Sequence, residues 1–281
     1  MMQPLLSIVI ANYNYGRFLE EAIQSVLCQV DESMRLPSGE RIELIVVDGG
    51  STDNSVEVIK KHADRLAWWC SEKDRGQSHA FNKGFAHAHG KYLAWVNADD
   101  LMPAGSLHKI VKQLKRYPEC EWFTANHYRF VVDGEVSDVF WGPHCYPNWL
   151  QRKGSPIVVF GPASIFSKAT FDRVGGMNED YHYAMDTDLW IRFTMAGVKQ
   201  RRINVFCWAF RLHEASKTSE FGIHEVDKHS FEVMCKEERE AYTKSGYKVS
   251  LFASILLKGW RIIDGSYLRG LMLRKRMIHV R

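Results

Sequence analysis

The 281-residue sequence contains no run of about 18 apolar residues, which excludes a membrane-spanning helix. Its first apolar stretch, Leu5 to Ala11, is short, broken by Ser7 and without a basic lead, so it reads as a strand and not as a signal peptide. Six cysteines stand singly with no C-x-x-C pair, which excludes a zinc ribbon and a disulfide frame and fits reduced thiols in a cytosolic protein. No G-x-G-x-x-G follows the first strand, which excludes the fingerprint of a dinucleotide-dependent oxidoreductase. A glycine-rich loop with Arg and Lys is also missing there. Asn12-Tyr13-Asn14-Tyr15-Gly16 stands in that place and argues against a nucleotidyltransferase that makes nucleotide-sugars. Internal repeats, low-complexity stretches and recognised nucleic-acid-binding modules are absent.

What is present describes a globular chain. Hydrophobic residues make up 46%, charged residues 25% and aromatics 12%, enough for a full-sized core and too much for a disordered chain. The net charge is +4, but it is unevenly placed: from Lys258 to Arg281 there are seven basic residues against the single acid Asp264. The rest of the chain is therefore slightly acidic. A basic end on such a body suits a local anionic partner.

Over residues 1–125, short apolar runs alternate with helical patterns. Ser7–Asn12, Glu43–Asp48, Ala67–Ser71, Tyr92–Asn97 and Trp122–Ala125 read as strands buried on both faces. Phe18–Cys28, Ser55–Ala63, Gln77–His89 and Gly105–Tyr117 carry apolar residues at helical spacing, with Asp53 as cap of the second helix and Pro103 in the first turn of the fourth. Such alternation predicts an α/β fold with a parallel sheet, whose ligand lies at the carboxyl ends of the strands. Those ends are polar: Ala11-Asn12-Tyr13-Asn14, Asp48-Gly49-Gly50-Ser51, Glu72-Lys73-Asp74-Arg75-Gly76 and Asn97-Ala98-Asp99-Asp100. Beyond residue 125 the alternation stops. Tyr128–Val132 and Glu135–Phe140 read as a hairpin turning at Asp133-Gly134, Trp141–Pro162 as a long loop, Asp186–Ala196 as a helix, Ile203–Leu212 as a strand and 215–248 as polar helix.

Taken singly, the polar groups leave alternatives open. Asn97-Ala98-Asp99-Asp100 suits a hard divalent cation held against a diphosphate, or a helix cap. Asp186 and Asp188 lie at a helix start, where an acid serves as general base or as cap. His213, at a strand end, is a metal or phosphate ligand or a surface histidine. Asp74-Arg75-Gly76-Gln77 is a phosphate-side loop or a plain helix entry.

In order and spacing, SIVIANYNYGRFLEEAIQSVLCQ, ELIVVDGGSTDNSVEVI, DRGQSHAFNKGFAHAHGKYLAWVNADD, GGMNED, MDTDLWIR and FRLHEASKT resemble the family 2 glycosyltransferases of the GT-A fold, from about Ser7 to about Thr218. The resemblance implies an inverting, metal-dependent enzyme that moves a sugar from a nucleotide-sugar to a hydroxyl. The expected fold is a Rossmann-like nucleotide-binding half (1–125) joined to an acceptor half (126–215), followed by a helical, basic segment (216–281). By match, Ala11, Tyr13, Asp48, Asp74, Arg75, Asn97, Ala98 and Asp99 border the nucleotide-sugar. Asp99 and His213 reach a Mn²⁺ or Mg²⁺ ion, and Asp186 is the catalytic base. Asn97 and Met185 depart from acids of the family pattern, and Gly49 stands where a second acid often contacts uracil.

The implied donor is UDP-linked first, with GDP and dTDP open. The implied acceptor is a glycan or a polyprenyl-diphosphate-linked chain of the cell surface, with no nucleic acid involved. The implied place is the cytoplasm, at the inner face of the cell membrane if the tail docks there. A sugar-nucleotide-binding subunit without activity is the non-enzymatic alternative. Phe252, Leu256, Trp260, Ile263, Tyr267 and Leu271 recur at helical spacing among basic residues. They predict an interfacial helix within 250–281 on an anionic membrane, the alternative being a helix packed on the body.

Overall fold

The computed structural model describes residues 3–131, 136–140, 154, 157, 159–213 and 228–263. Its strands are β1 (Leu6–Asn12), β2 (Ile42–Asp48), β3 (Trp68–Ser71), β4 (Tyr92–Asn97), β5 (Trp122–Val131), β6 (Val136–Phe140), β7 (Ser164–Ser167) and β8 (Gln200–Leu212). Its α-helices are α1 (Gly16–Leu27), α2 (Ser55–Lys61), α3 (Gln77–Ala86), α4 (Ser106–Arg116), α5 (Lys168–Arg173), α6 (Met185–Met195), α7 (Lys228–Ser245) and α8 (Leu251–Ile263).

The strands form one sheet in the order β3-β2-β1-β4-β7-β5-β6, and β8 pairs with the other edge of β5. The first four strands are parallel, as their buried runs predict. The second half departs from the expected parallel sheet. Strand β7 lies antiparallel to β4 and β5, and β6 antiparallel to β5, while β8 runs parallel to β5. The hairpin strands form, but β5 is continuous from Trp122 to Val131, longer than the two separate runs predict. Its Asp133-Gly134 turn lies outside the described residues.

Alternate residues of the central strands feed two cores. Leu6, Ile8 and Ile10 of β1 pack with Leu19, Ala22 and Ile23 of α1 and with α4, whereas Val9 packs with Ala80, Phe81 and Phe85 of α3. Burial on both faces is why β1 and β2 are mostly apolar, with Ser7 and Glu43 paired to each other inside. Helix α6 closes the second core through Leu189, Trp190 and Phe193, and α7 and the turn after it add Ala241 and Tyr247. The expected boundary at residue 215 falls outside the described residues, and the helix beyond it packs into the second core.

The expected cap at Asp53 forms, whereas Pro103 departs from the sequence reading. Asp53 Oδ1 accepts from the Ser55 N–H at 3.0 Å, and its Oδ2 accepts from the Gly16 N–H at 2.8 Å, so one carboxylate anchors the starts of α2 and α1. Pro103 lies ahead of α4. Gly105, at φ 70°, turns the chain between them, a left-handed conformation that favours glycine.

Candidate active site

The carboxyl ends of β1, β2 and β4 form the floor of a cleft of about 840 Å³, a volume that accommodates a nucleotide-sugar. Ala11, Tyr13, Asp74, Asn97, Ala98, Asp99 and Asp186 all line it. Asp48, Arg75 and His213 do not, and each has a different place.

Asp48 is fully buried beneath the floor. Its Oδ1 accepts from Asn12 Nδ2 at 2.6 Å, and its Oδ2 accepts from Ser71 Oγ at 2.6 Å and from the Ser51 N–H at 3.0 Å. Burial alone would raise its pKa, but the donors from Ser51, Ser71 and Asn12 prevail and hold it below the usual carboxylate range. The ends of β1, β2 and β3 are thereby locked together. Arg75 sits at the rim, where its guanidinium pairs with Glu179 at 2.5 Å. Gly49, in place of an acid, lies against the β3–α3 loop. A Cβ there would fall 2.6 Å from Asp74 Oδ2, so the missing side chain is what lets that carboxylate approach.

Residues 114 apart meet at the next group: His213 Nε2 lies 3.0 Å from Asp99 Oδ2. The imidazole packs edge-on against Tyr15 and over Phe18, and its Nδ1 is 3.4 Å from Arg17 Nη2. Burial, with the Asp99 charge beside it, pushes the Tyr15 hydroxyl up to about 12, so it stays protonated. Asp100 turns away from the cleft and is fully buried. It accepts from Asn97 Nδ2 and Trp208 Nε1, both at 2.8 Å, and from the Arg211 N–H at 2.9 Å. Burial and the neighbouring Asp99 push its pKa well above the usual range. Together with the Leu101–Ala209 bridge, Asp100 fastens the acidic turn to β8. Asn97 therefore serves as a donor to a buried acid.

The opposite wall comes from the second half of the chain. His127 and Arg129 of β5, Trp208 and Phe210 of β8, Phe160, and the strip His182–Asp186 line it. His127 packs against Phe160 and Trp208, and burial, with Arg129 nearby, pushes its pKa down to about 3, so it is neutral. Asp186 lies on the first turn of α6. Its Oδ2 accepts from the Gly161 N–H at 3.1 Å and its Oδ1 from the Thr187 N–H at 2.7 Å. Burial outweighs both donors and raises its pKa to about 6. Gly161 has to be glycine, because a Cβ would lie 2.2 Å from Cζ2 of the buried Trp95. Asp188, two residues on, faces away. It pairs with Arg192, Nε to Oδ2 at 2.8 Å, and is an ion-pair partner and not the helix cap.

A group that the sequence reading passes over closes the site. Glu237 of α7 caps α6 from outside, through the N–H groups of His182, Tyr183 and Ala184. Its only sequence signal is an acid on a polar helix. His127, Arg129 and Trp208 are likewise missed, because strand periodicity assigns a face and not a cleft.

The model of the family described as glycosyl transferase family 2 matches residues 7–175, which contain the floor, the Asp99 turn and Gly161. The chain belongs to that family. It is 27% identical over 252 residues to an uncharacterized glycosyltransferase of Nostoc sp., covering 87% of this chain and 73% of that protein. A UDP-Glc:alpha-D-GlcNAc-diphosphoundecaprenol beta-1,3-glucosyltransferase of Escherichia coli is 26% identical over 215 residues, covering 75% of this chain and 79% of that one. Among solved structures, a mannosyltransferase from Pyrobaculum calidifontis in complex with GDP-Man and Mn²⁺ has a TM-score of 0.57 at 18% identity, covering 97% of this glycosyltransferase and 84% of that chain. TarS of S. aureus in complex with UDP-GlcNAc has a TM-score of 0.57 at 14% identity, covering 85% and 73%. These structures share the GT-A fold.

Proposed function

We propose that this glycosyltransferase carries out an inverting transfer from a nucleoside-diphosphate sugar, UDP-linked first, to a hydroxyl of a glycan acceptor borne on a polyprenyl diphosphate. The observation that carries the reading is the placement of Asp186. It is a carboxylate with a pKa near 6, on the wall of the cleft that faces the Asp99 turn, held by the Gly161 and Thr187 amides. A single displacement needs one base on the acceptor side and charge stabilisation on the leaving-group side. Asp186 takes the proton from the acceptor hydroxyl as its oxygen attacks the anomeric carbon. The bond from that carbon to the diphosphate breaks with inversion, and the electron pair leaves on the nucleoside diphosphate.

Asp99 and His213 fit a divalent cation. Their Oδ2 and Nε2 atoms converge, and no group of three or more ligating side chains gathers among the described residues. Two protein ligands suit Mn²⁺ or Mg²⁺, which complete their shell with water and phosphate oxygens. When bound, such an ion neutralises charge on the leaving diphosphate. Tyr13, exposed at the floor, and the loop carrying Asp74 border the nucleotide, and Asp48 sets their backbone from below. The UDP-linked and diphosphoundecaprenol substrates of the Escherichia coli relative support the choice of donor and acceptor.

This reading includes docking at the inner face of the cell membrane, and α8 supports it. Ala253 and Leu257 are buried, while Leu251, Phe252, Ile255 and Ile262 stand 79%, 64%, 60% and 55% exposed. The exposed apolar face precedes the basic end of the chain, a pairing that fits an anionic bilayer surface. Among the described residues no helix is long and apolar enough to cross a membrane.

The test is release of nucleoside diphosphate from a panel of UDP-, GDP- and dTDP-sugars, with a polyprenyl-diphosphate-linked glycan and Mn²⁺. One donor is expected to turn over, and EDTA or Asp99→Ala to abolish release. Turnover that survives both removes the metal assignment, and no turnover with any donor favours the inactive binding subunit. Flotation with anionic liposomes checks the docking. Phe252→Glu with Ile255→Glu should leave the protein at the bottom of the gradient.

A further inference from the structure

Helix α6 carries Asp186, yet nothing in its own sequence caps it: Ala184 stands at its N-cap with no side-chain bond. The amides before a helix start need an acceptor. Here it arrives from a different helix, 55 residues away in the chain from His182. Glu237 Oε2 accepts from Tyr183 at 2.6 Å and from Ala184 at 3.0 Å, and both of its oxygens lie 3.0 Å from the His182 nitrogen. One carboxylate thus gathers three successive N–H groups at the positive end of the helix. Burial alone would raise its pKa, but the three amides hold it below the usual range, so it is charged at neutral pH.

The same strip is held on its other flank, where Ser78 Oγ of α3 donates to the Tyr181 carbonyl at 3.2 Å. His182, Tyr183 and Asp186 all line the cleft, so the two attachments fix a cleft wall and not a remote turn. Helix α7 is itself anchored: Ala241 lies in the core with Leu189 and Trp190, and Tyr242 Oη accepts from the Ile157 N–H at 3.3 Å.

We propose that Glu237 is a positioning residue for the transfer reaction, bracing residues 182–186 so that Asp186 and the aromatic wall meet the acceptor in register with the donor. The proposal rests on the reading of Asp186 as base. A neutral side chain makes a weaker brace, since the three amides gather round a charged carboxylate, chiefly at Oε2. Glutamine offers one oxygen and turns an NH₂ toward amides that also donate. Alanine leaves three N–H groups to water.

Glu237→Ala in the full chain tests this, because it leaves a space of carboxylate shape in front of three donors. Misplacement of a catalytic group by about 1 Å costs on the order of 10²-fold. Turnover of the donor found by the panel should fall by about that factor. Affinity for UDP with Mn²⁺, read by calorimetry, should stay unchanged, since the floor of the cleft is untouched. Amide hydrogen exchange should quicken over 182–186 and stay slow at Ala11–Tyr13 and Asn97–Asp99. Added formate should restore both turnover and protection, a recovery that a general loss of stability would not show. Glu237→Gln should share the loss without the rescue. Wild-type turnover in Glu237→Ala, unchanged exchange over 182–186, or equal losses of turnover and UDP affinity would each overturn the proposal. Asp186→Asn separates it from the reading beneath it. If that variant transfers normally with its exchange pattern intact, the base assignment fails while the brace remains measurable.

Discussion

Asp48 and Asp186 lie on opposite sides of one cleft and are held in opposite ways. Asp48 accepts from Asn12, Ser51 and Ser71, side chains at the ends of neighbouring parallel strands, and its pKa is lowered. Asp186 accepts from the backbone N–H groups of Thr187 and Gly161, and burial outweighs them and raises its pKa to about 6. The first is a permanent anion that serves the scaffold. The second gains and gives up a proton near neutral pH, which is what a general base needs. The same chemical group is made structural or reactive by how many donors reach it.

The sharpest way to break this comparison is Asp186→Asn. It keeps the shape and the Gly161 contact but cannot take a proton. Transfer should fall about 10²–10⁴-fold, with UDP binding by calorimetry intact. Loss of binding as well would mean that the two sides are not separable.

A smaller effect comes from pH. Because the Asp186 pKa is raised to about 6, the base is charged above that pH and protonated below it. The rate should therefore rise about tenfold per pH unit up to roughly pH 6 and level off above. A plateau that continues down to pH 4.5 would assign the base elsewhere.

The smallest effect is expected from Asp48→Asn. It removes a charge from a buried hydrogen-bonded group, so stability should drop by about 1–3 kcal/mol, read from the denaturation midpoint. The Asp48 pKa is lowered on folding, so its contribution is full above the unfolded value and disappears as pH falls through the folded one. The stability gap between wild type and variant should close in acid, and the acid limb of the rate should stay where it is. A shift of that limb would show that Asp48 reaches the chemistry.

The same divide governs what was legible in the sequence. Strands β1 to β4 and their polar ends are local patterns. Each motif sits at the end of its own apolar run, and parallel pairing brings Ala11, Tyr13, Asp74 and Asp99 to one edge without further information. The contact between Asp99 and His213 needed the resemblance, since nothing local joins residues 114 apart. Gly161, His127, Trp208 and Glu237 were not legible, because their roles arise where β5, β7, β8 and α7 cross, and pairing across that distance leaves no periodic trace. For Asp188 the sequence leaves cap and general base open, because acids favour helix starts, and Arg192 one turn later claims it. In α8 the stripe read as membrane-facing runs through Phe252 and Leu256. Phe252 is exposed with Leu251 and Ile255, whereas Leu256 packs in part with Ala253 and Leu257. A helix apolar on both sides gives no periodicity by which to separate the two faces.

The distance in sequence between α6 and its cap also sets an order of events during synthesis. The strand ends that floor the cleft are complete in the chain by Asp99, and α6 follows from Met185. The carboxylate that caps it comes 55 residues after His182, which at about 5–20 residues per second is a delay of roughly 3–10 s on the ribosome. Through that interval the nascent chain has the floor of the cleft, while the amides of residues 182–184 wait for the carboxylate they share. The floor of the cleft is therefore old, and the bracing of its far wall young, in the life of each molecule.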